Sequence, residues 1–256
     1  MSGLLDQRRA LVFGVANEWS IATSIARALS EHGAALGIAH LPGERMARRV
    51  AQATEDLGPV FYAACDLQSD PDIAKVFAEA ENSFGTLDVL VHSVAFAPPQ
   101  ALKQPLLETT RADFLTTLDV SSYSLLAVAR QAAPLMRPGG AILTMSYLAA
   151  HAVVPDYGVM AIAKAALENT VRYLAAELGP RGIRVNAVSA GPVKTLAMRG
   201  LPGGERLLAD NRARAPLRRN IATEEIANAA LYLCSPLASA VTGEIHYVDG
   251  GYHTVV

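Results

Sequence analysis

Tyr157 and Lys164 bound the run Tyr157-Gly-Val-Met-Ala-Ile-Ala-Lys164, and a second phenol, Tyr147, stands ten residues earlier. A phenol can give a proton to a developing anion. An ammonium can hold hydroxyl groups and steady the same charge. Late in a chain with nucleotide-binding features, the pair points to a hydride-transfer site with its own proton donor. Seven positions along a helix amount to about 700° of turn and roughly 10.5 Å of rise. Tyr157 and Lys164 therefore share nearly one face, two turns apart. The plain alternative is a helix with one buried Tyr and one exposed Lys, so the elements around them must decide.

Those elements alternate. Short apolar, β-branched runs are expected as strands at 10–15, 35–40, 60–66, 89–94, 141–147, 184–189 and 244–248. Amphipathic segments between them predict helices at 21–32, 44–57, 71–84, 111–136, 157–178 and 223–233. The strand runs are continuously apolar, as in a sheet covered on both faces. Strand–helix repetition predicts a three-layer, Rossmann-like α/β fold with a doubly wound parallel sheet of about seven strands and right-handed crossovers. The whole chain, 1–256, reads as one domain. Residues 192–215 are rich in Gly, Pro, Arg and Ala, with Pro202-Gly-Gly204 at the centre. They predict a long loop with at most one short helix, placed as a lid.

A sheet of this kind binds its ligand beyond the carboxyl ends of the strands, where their order reverses. The first strand runs into Gly14, which permits a sharp turn and a close phosphate. Ser20 and Ile21 begin the next helix, whose free N–H groups suit a pyrophosphate; an ordinary helix cap at Ser20 is the alternative. The glycine fingerprint of dinucleotide sites is absent. The second strand ends at His40-Leu41-Pro42 with no carboxylate for a ribose. Arg45, Arg48 and Arg49 follow, either toward a 2′-phosphate or as a solvated helix face, which leaves NADH against NADPH open. Asp66, before Leu67, can accept from an adenine amino group or simply shape a turn. Ser93, Val94, Ala95 and Ala97 are small enough to admit a flat ligand or to pack tightly.

Composition excludes other classes. The net charge is −2, with no basic stripe for nucleic acid. Cys65 and Cys234 are far apart in apolar runs, which argues against a disulfide framework or a thiolate metal site and fits a reducing cytoplasm. The six histidines lack ligand spacing. His40, His92 and His246 sit in strand-like runs, where a hydrogen-bonded partner is expected and a metal is not. The N-terminal residues lack the apolar stretch of a signal peptide, and no run approaches the ~18 residues that span a bilayer.

The motifs together resemble the bacterial type II enoyl-acyl-carrier-protein reductases of the FabI kind, a divergent branch of the short-chain dehydrogenase/reductase superfamily. The resemblance is carried by Gly14-Val-Ala with Ser20-Ile-Ala, His92-Ser-Val-Ala-Phe-Ala-Pro98, Asp119-Val-Ser-Ser-Tyr-Ser124, Ser146-Tyr-Leu148, Tyr157 to Lys164, Arg184 to Ala197, and Val248-Asp-Gly-Gly-Tyr252. Ordinary members of the superfamily have Tyr-x-x-x-Lys, but position 161 here is Ala. The chain departs from the branch at Leu41, where Gln is common, and at Ala95, where Gly is common.

The resemblance implies reduction of the trans-2 double bond of an enoyl thioester by NAD(H), NADP(H) remaining open. It implies Tyr147, Tyr157 and Lys164 as catalytic, with Tyr157 on the thioester oxygen and Lys164 on the nicotinamide ribose. It assigns Gly14, Ser20, Ile21, Leu41, Asp66, Leu67, Ser93, Val94, Ala95, Val193, Thr195, Leu196 and Ala197 to the cofactor, and Ala97, Tyr147 and Tyr157 to the substrate. It further implies a homotetramer in the cytoplasm acting on acyl carrier protein. Arg199, Arg206, Arg212, Arg214, Arg218 and Arg219 form either a basic rim for that acidic carrier or a solvated loop. Ser121 and Ser122, where related dehydrogenases have an Asn that relays protons, fit another proton path or a helix contact. Two other readings stand beside this one: a carbonyl or alcohol oxidoreductase, and a non-catalytic nucleotide sensor.

Overall fold

The computed structural model describes residues 3–201 and 203–255. In chain order the elements are β1 (Arg9–Phe13), α1 (Ile21–Glu31), β2 (Ala35–His40), α2 (Glu44–Thr54), β3 (Phe61–Ala64), α3 (Asp70–Phe84), β4 (Leu87–His92), α4 (Pro99–Lys103), α5 (Arg111–Leu118) and α6 (Ser124–Leu135). They continue with β5 (Met136–Ser146), α7 (Gly158–Leu178), β6 (Arg184–Ala190), α8 (Leu196–Gly200), α9 (Gly204–Arg214), α10 (Thr223–Cys234) and β7 (Ile245–Val248).

The seven strands form one sheet in the order β3-β2-β1-β4-β5-β6-β7. Every pairing is parallel, with Phe13 opposite His92, His92 opposite Thr144, and Ser146 opposite Ser189. The order grows from β1 to β2 and β3, then reverses across β1 to β4, so the ligand crevice of such a sheet falls between β1 and β4. Helices cover both faces. On one side Leu11, Phe13, Phe77, Leu125, Leu167 and Val171 share a core, and on the other Val12, Ile25, Leu29, Ile38, Val91 and Ile226 do. Alternate residues of β1 feed the two cores, which is why its sequence is apolar from Ala10 to Phe13.

Two expectations are corrected. The single helix expected over 111–136 is interrupted by a π-turn at Asp119–Tyr123, and β5 already begins at Met136. Within that turn Ser121 Oγ accepts from the Phe96 N–H and donates to the Phe96 carbonyl, each at 2.8 Å. The extra residue in the turn aims Ser121 at the loop after β4, a role that π-bulges near functional sites commonly take. The long loop expected over 192–215 holds two helices, α8 and α9. Thr195 Oγ1 caps α8 by accepting from the Met198 N–H at 3.1 Å. Pro202, at the centre of the expected loop, lies outside the described residues.

Candidate active site

The joint between β1 and β4 is tight. The Ser93 N–H donates to the Phe13 carbonyl at 3.1 Å. Gly14 follows with φ +100°, and a Cβ there would stand 2.0 Å from the Ser93 carbonyl oxygen. Only glycine satisfies both the angle and the contact. The loop then folds on itself. Ser20 Oγ accepts from the Ala16 and Asn17 N–H groups at 3.3 and 3.1 Å, and Asn17 Oδ1 accepts from the Trp19 N–H at 2.9 Å. The Ser20 hydroxyl thus closes the loop behind it and makes no hydrogen bond to the helix it precedes. Among the described residues the Ile21 and Ala22 N–H groups have no protein acceptor. They face outward at the positive end of an 11-residue helix.

Beyond these strand ends lies a cavity of about 630 Å³. It gathers Gly14, Ser20, Ile21, Leu41, Asp66, Leu67, Ser93, Val94, Ala95, Tyr147, Tyr157, Lys164, Val193, Thr195 and Leu196. Nearly all the residues singled out by sequence therefore meet in one space. Ala97 is the exception. It packs in the apolar cluster behind Tyr157, with Ala101, Ala149 and Ala163, and does not line the cavity. Ala197 falls in α8, and its side chain lies outside the described residues.

At the Leu41 end, Arg49 lines the cavity with Met46 and Gln68. Arg48 is turned to the surface, 3.2 Å from Glu44. Asp66 both lines the cavity and accepts from the Gln68 N–H at 3.0 Å, so it shapes its turn as well. Ser69, three residues on, is the side chain that caps α3.

At the other end, Tyr147 follows β5 and Tyr157 precedes α7. Their rings lie 4.9 Å apart at 57°, a tilted aromatic contact. Tyr157 is 9% exposed. Burial, with Tyr147 beside it, raises the phenol of Tyr157 above its ordinary value. Burial likewise pushes Tyr147 up to about 12. Both phenols therefore keep their protons at neutral pH.

Lys164 is buried, 4% exposed, against the plain expectation of an exposed lysine. Its Nζ donates to the Met145 carbonyl at 2.7 Å. Burial lowers its pKa to about 8, with the Glu168 carboxylate opposing the shift. Glu168 is also buried. Ser146 Oγ donates to Glu168 Oε1 at 2.6 Å, while Oε2 faces His151 Nε2 and, at 3.7 Å, Arg172 Nη2. Sequence reading passed over Glu168; its position one turn after Lys164 was the available signal.

His92 proves to be a satisfied core residue. One ring nitrogen pairs with Thr144 Oγ1 at 2.9 Å and the other with Ser124 Oγ at 2.8 Å. Burial, aided by the Lys164 charge, lowers its pKa to about 3, so it is neutral. It ties β4, β5 and α6 together beneath the cavity. The described residues hold no cluster of His, Cys, Asp and Glu suited to a metal ion, and Cys65 and Cys234 are buried free thiols.

The segment after β6 is tied to the chain just before Tyr157. Arg206, in α9, donates to Asp156 Oδ2 at 2.8 Å, one residue before Tyr157. Met198 and Leu201, within the segment expected as a lid, also line the cavity; nothing in their sequence singled out these two positions within it.

A doubly wound sheet with this crevice, a buried lysine and two facing phenols defines a nucleotide oxidoreductase domain of the short-chain dehydrogenase/reductase kind. Residues 14–253 match the family described as Enoyl-(Acyl carrier protein) reductase, and the chain belongs to that family. The Rhizobium meliloti protein named Enoyl-[acyl-carrier-protein] reductase [NADH] 1 is 47% identical over 99% of this chain and 93% of its own length. The reductase from Anaplasma phagocytophilum, solved in complex with NAD, superposes with a TM-score of 0.95 at 42% identity, covering 100% of this chain and 97% of that one. The Bacillus cereus enzyme, solved with NADP+ and an indole naphthyridinone, gives 0.96 at 42% identity over 99% of both chains.

Proposed function

We propose that this chain reduces the trans-2 double bond of enoyl thioesters carried on acyl carrier protein, with NADH as reductant. The observation that carries the reading is the pair Tyr147 and Tyr157 in contact at the end of a nucleotide crevice, with the buried Lys164 lining the same cavity. The relatives' names support the same reaction and cofactor.

The residues present fit a dinucleotide. Gly14 lines the crevice, and the Ile21 and Ala22 N–H groups at the helix start are free to meet an anion. Asp66 and Leu67, with Leu41, would flank the adenosine end. Ser93, Val94 and Ala95 would lie under the centre. Val193, Thr195 and Leu196, with Ala197 following, would hold the nicotinamide side. The cofactor supplies the hydride. Arg49 at the adenosine end leaves room for some use of NADPH.

The chain's own groups then handle charge and protons. Hydride arrival at the β-carbon drives negative charge onto the thioester oxygen. Tyr157, kept protonated by burial, donates a hydrogen bond to that oxygen where the charge develops. Lys164 holds ribose hydroxyls and adds a fixed positive charge nearby. Tyr147 packs against Tyr157 and walls the acyl slot. The apolar Met198 and Leu201 exclude water, which strengthens both polar contacts.

We also infer one domain, a homotetramer and a cytoplasmic location. Leu115, Ile162 and Tyr173, on α5 and α7, are apolar side chains left exposed at 59%, 36% and 73%, a surface suited to a second copy of the chain. The two free thiols fit a reducing compartment. Among the described residues no helix is long and apolar enough to cross a membrane.

The test is steady-state oxidation of NADH and NADPH with a crotonyl thioester, set against a panel of ketones. Consumption with the thioester and preference for NADH are expected. Ketone reduction without enoyl reduction would sink the reading.

A further inference from the structure

A second cavity, of about 750 Å³, shares Met198 and Leu201 as walls with the first. Lys194, Arg199 and Arg212 line it, and they come from three places: the segment after β6, α8 and α9. Lys194 stands between Val193 and Thr195, both of which face the first cavity, so it points to the opposite side.

The charges of these three residues are uncommitted. None forms an ion pair or a side-chain hydrogen bond among the described residues, and Glu205 is the one carboxylate beside them. Their neighbours differ. Arg206 is bound to Asp156 at 2.8 Å, Arg214 to Asp210 at 3.4 Å, and Arg219 to Glu225 through two bonds of 2.6 and 2.7 Å. Arg218 donates to the Ala213 carbonyl. The free cations of this basic segment are thus gathered around one concavity. Three like charges there repel each other, and that repulsion is relieved when an anion enters. The polar wall continues with Asn220, whose Oδ1 accepts from the buried Asn211 at 3.4 Å, while the other end of the Asn211 amide has no partner.

We propose that this cavity binds the phosphate of the phosphopantetheine arm that presents the acyl thioester. The assignment rests on the enoyl reductase reading above. Two guanidinium forks and an ammonium match a tetrahedral phosphate, whose oxygens accept from several donors at once. The shared wall is a single short helix, and a helix with its side chains is about 10 Å across. The extended arm is longer than that, so its thioester reaches Tyr157 while its phosphate rests beyond α8.

The experiment compares crotonyl-phosphopantetheine with crotonyl-pantetheine, identical except for the phosphate. The phosphorylated substrate should show a kcat/KM about tenfold higher, mostly through KM. In the Arg199→Gln/Arg212→Gln double variant that ratio should fall to about one, with calorimetric titration confirming retained NADH binding. Equal kcat/KM for the two substrates in the unaltered protein overturns the phosphate site and leaves the reductase reading intact. A ratio kept in the double variant overturns it as well. If the variant weakens only the carrier-bound substrate, the cations meet the carrier's acidic surface, and the phosphate assignment falls. Failure to reduce either thioester removes the reductase reading itself.

Discussion

Lys164 Nζ donates to the Met145 carbonyl at 2.7 Å, which fixes a buried ammonium of α7 against the end of β5. Its pKa of about 8 stands below the ordinary 10.5. Between those values the unfolded chain binds more protons than the folded one, so this group's cost to stability is greatest below pH 8 and fades as pH rises toward 10.5. Function should move the other way. As pH rises through about 8, the ammonium that holds the ribose is lost, and KM for NADH should climb. Lys164→Ala should weaken NADH binding at every pH. Lys164→Arg, which stays charged, should flatten the profile. An NADH KM unchanged from pH 7 to 9.5 in the unaltered protein would remove the ribose role.

Glu168 sets the position of that inflection. Its carboxylate raises the Lys164 pKa against the pull of burial and accepts from Ser146, the residue before Tyr147. Glu168→Gln should therefore move the rise in NADH KM to lower pH while keeping an acceptor for Ser146. Glu168→Leu leaves the Ser146 hydroxyl without its partner, at a cost of about 1–3 kcal/mol. Urea unfolding of both variants checks this: a smaller loss for the Glu168→Gln variant than for Glu168→Leu is expected. Identical pH profiles for the unaltered protein and the Glu168→Gln variant would dissociate Glu168 from the lysine.

The central strands were legible because they are buried on two faces and read as apolar runs; β2 falls at 35–40 as its sequence implies. The strand-end residues were legible for a related reason, since topology alone says where ligands sit. What the sequence hid depends on distant partners. The π-turn follows from Ser121 bonding to Phe96, 25 residues away. The burial of Lys164 needs the Met145 carbonyl, 19 residues earlier. Helix α9 was obscured by the Gly and Pro residues before it, although Glu205 to Arg214 contains good helix formers. Ala97 packs with Ala101, Ala149 and Tyr157 beside the cavity; in a sequence, small size suits close packing as well as it suits a ligand.

Gly14→Ala should separate a built joint from an ordinary turn. The added methyl meets backbone, not a flexible side chain, and φ is +100°, so β1 and β4 must shift apart at the crevice. Lower thermal stability and loss of NADH binding are expected together. Calorimetric titration with NADH reads the binding. Gly200→Ala, at the end of α8, where a Cβ meets nothing within 4 Å, should be neutral or slightly stabilising. Normal NADH titration in Gly14→Ala would show that the cofactor does not approach this turn.

The two phenols should be unequal when removed. Tyr157 is the more deeply buried, and its raised pKa keeps it a donor across the working range. Tyr157→Phe preserves the ring contact with Tyr147 and deletes only the hydroxyl, so turnover on crotonyl thioester should fall by about 10²-fold or more. Affinity for NADH should be nearly unchanged, because Lys164 and the strand ends are untouched. Tyr147→Phe keeps the same packing, and the loss should be smaller. The measurement is kcat and NADH affinity for both variants, together with the double variant. If Tyr157 alone carries the developing charge, the double variant should be little slower than Tyr157→Phe. If the two losses simply multiply, both hydroxyls act on the substrate independently, and the assignment of Tyr147 as a wall must be given up.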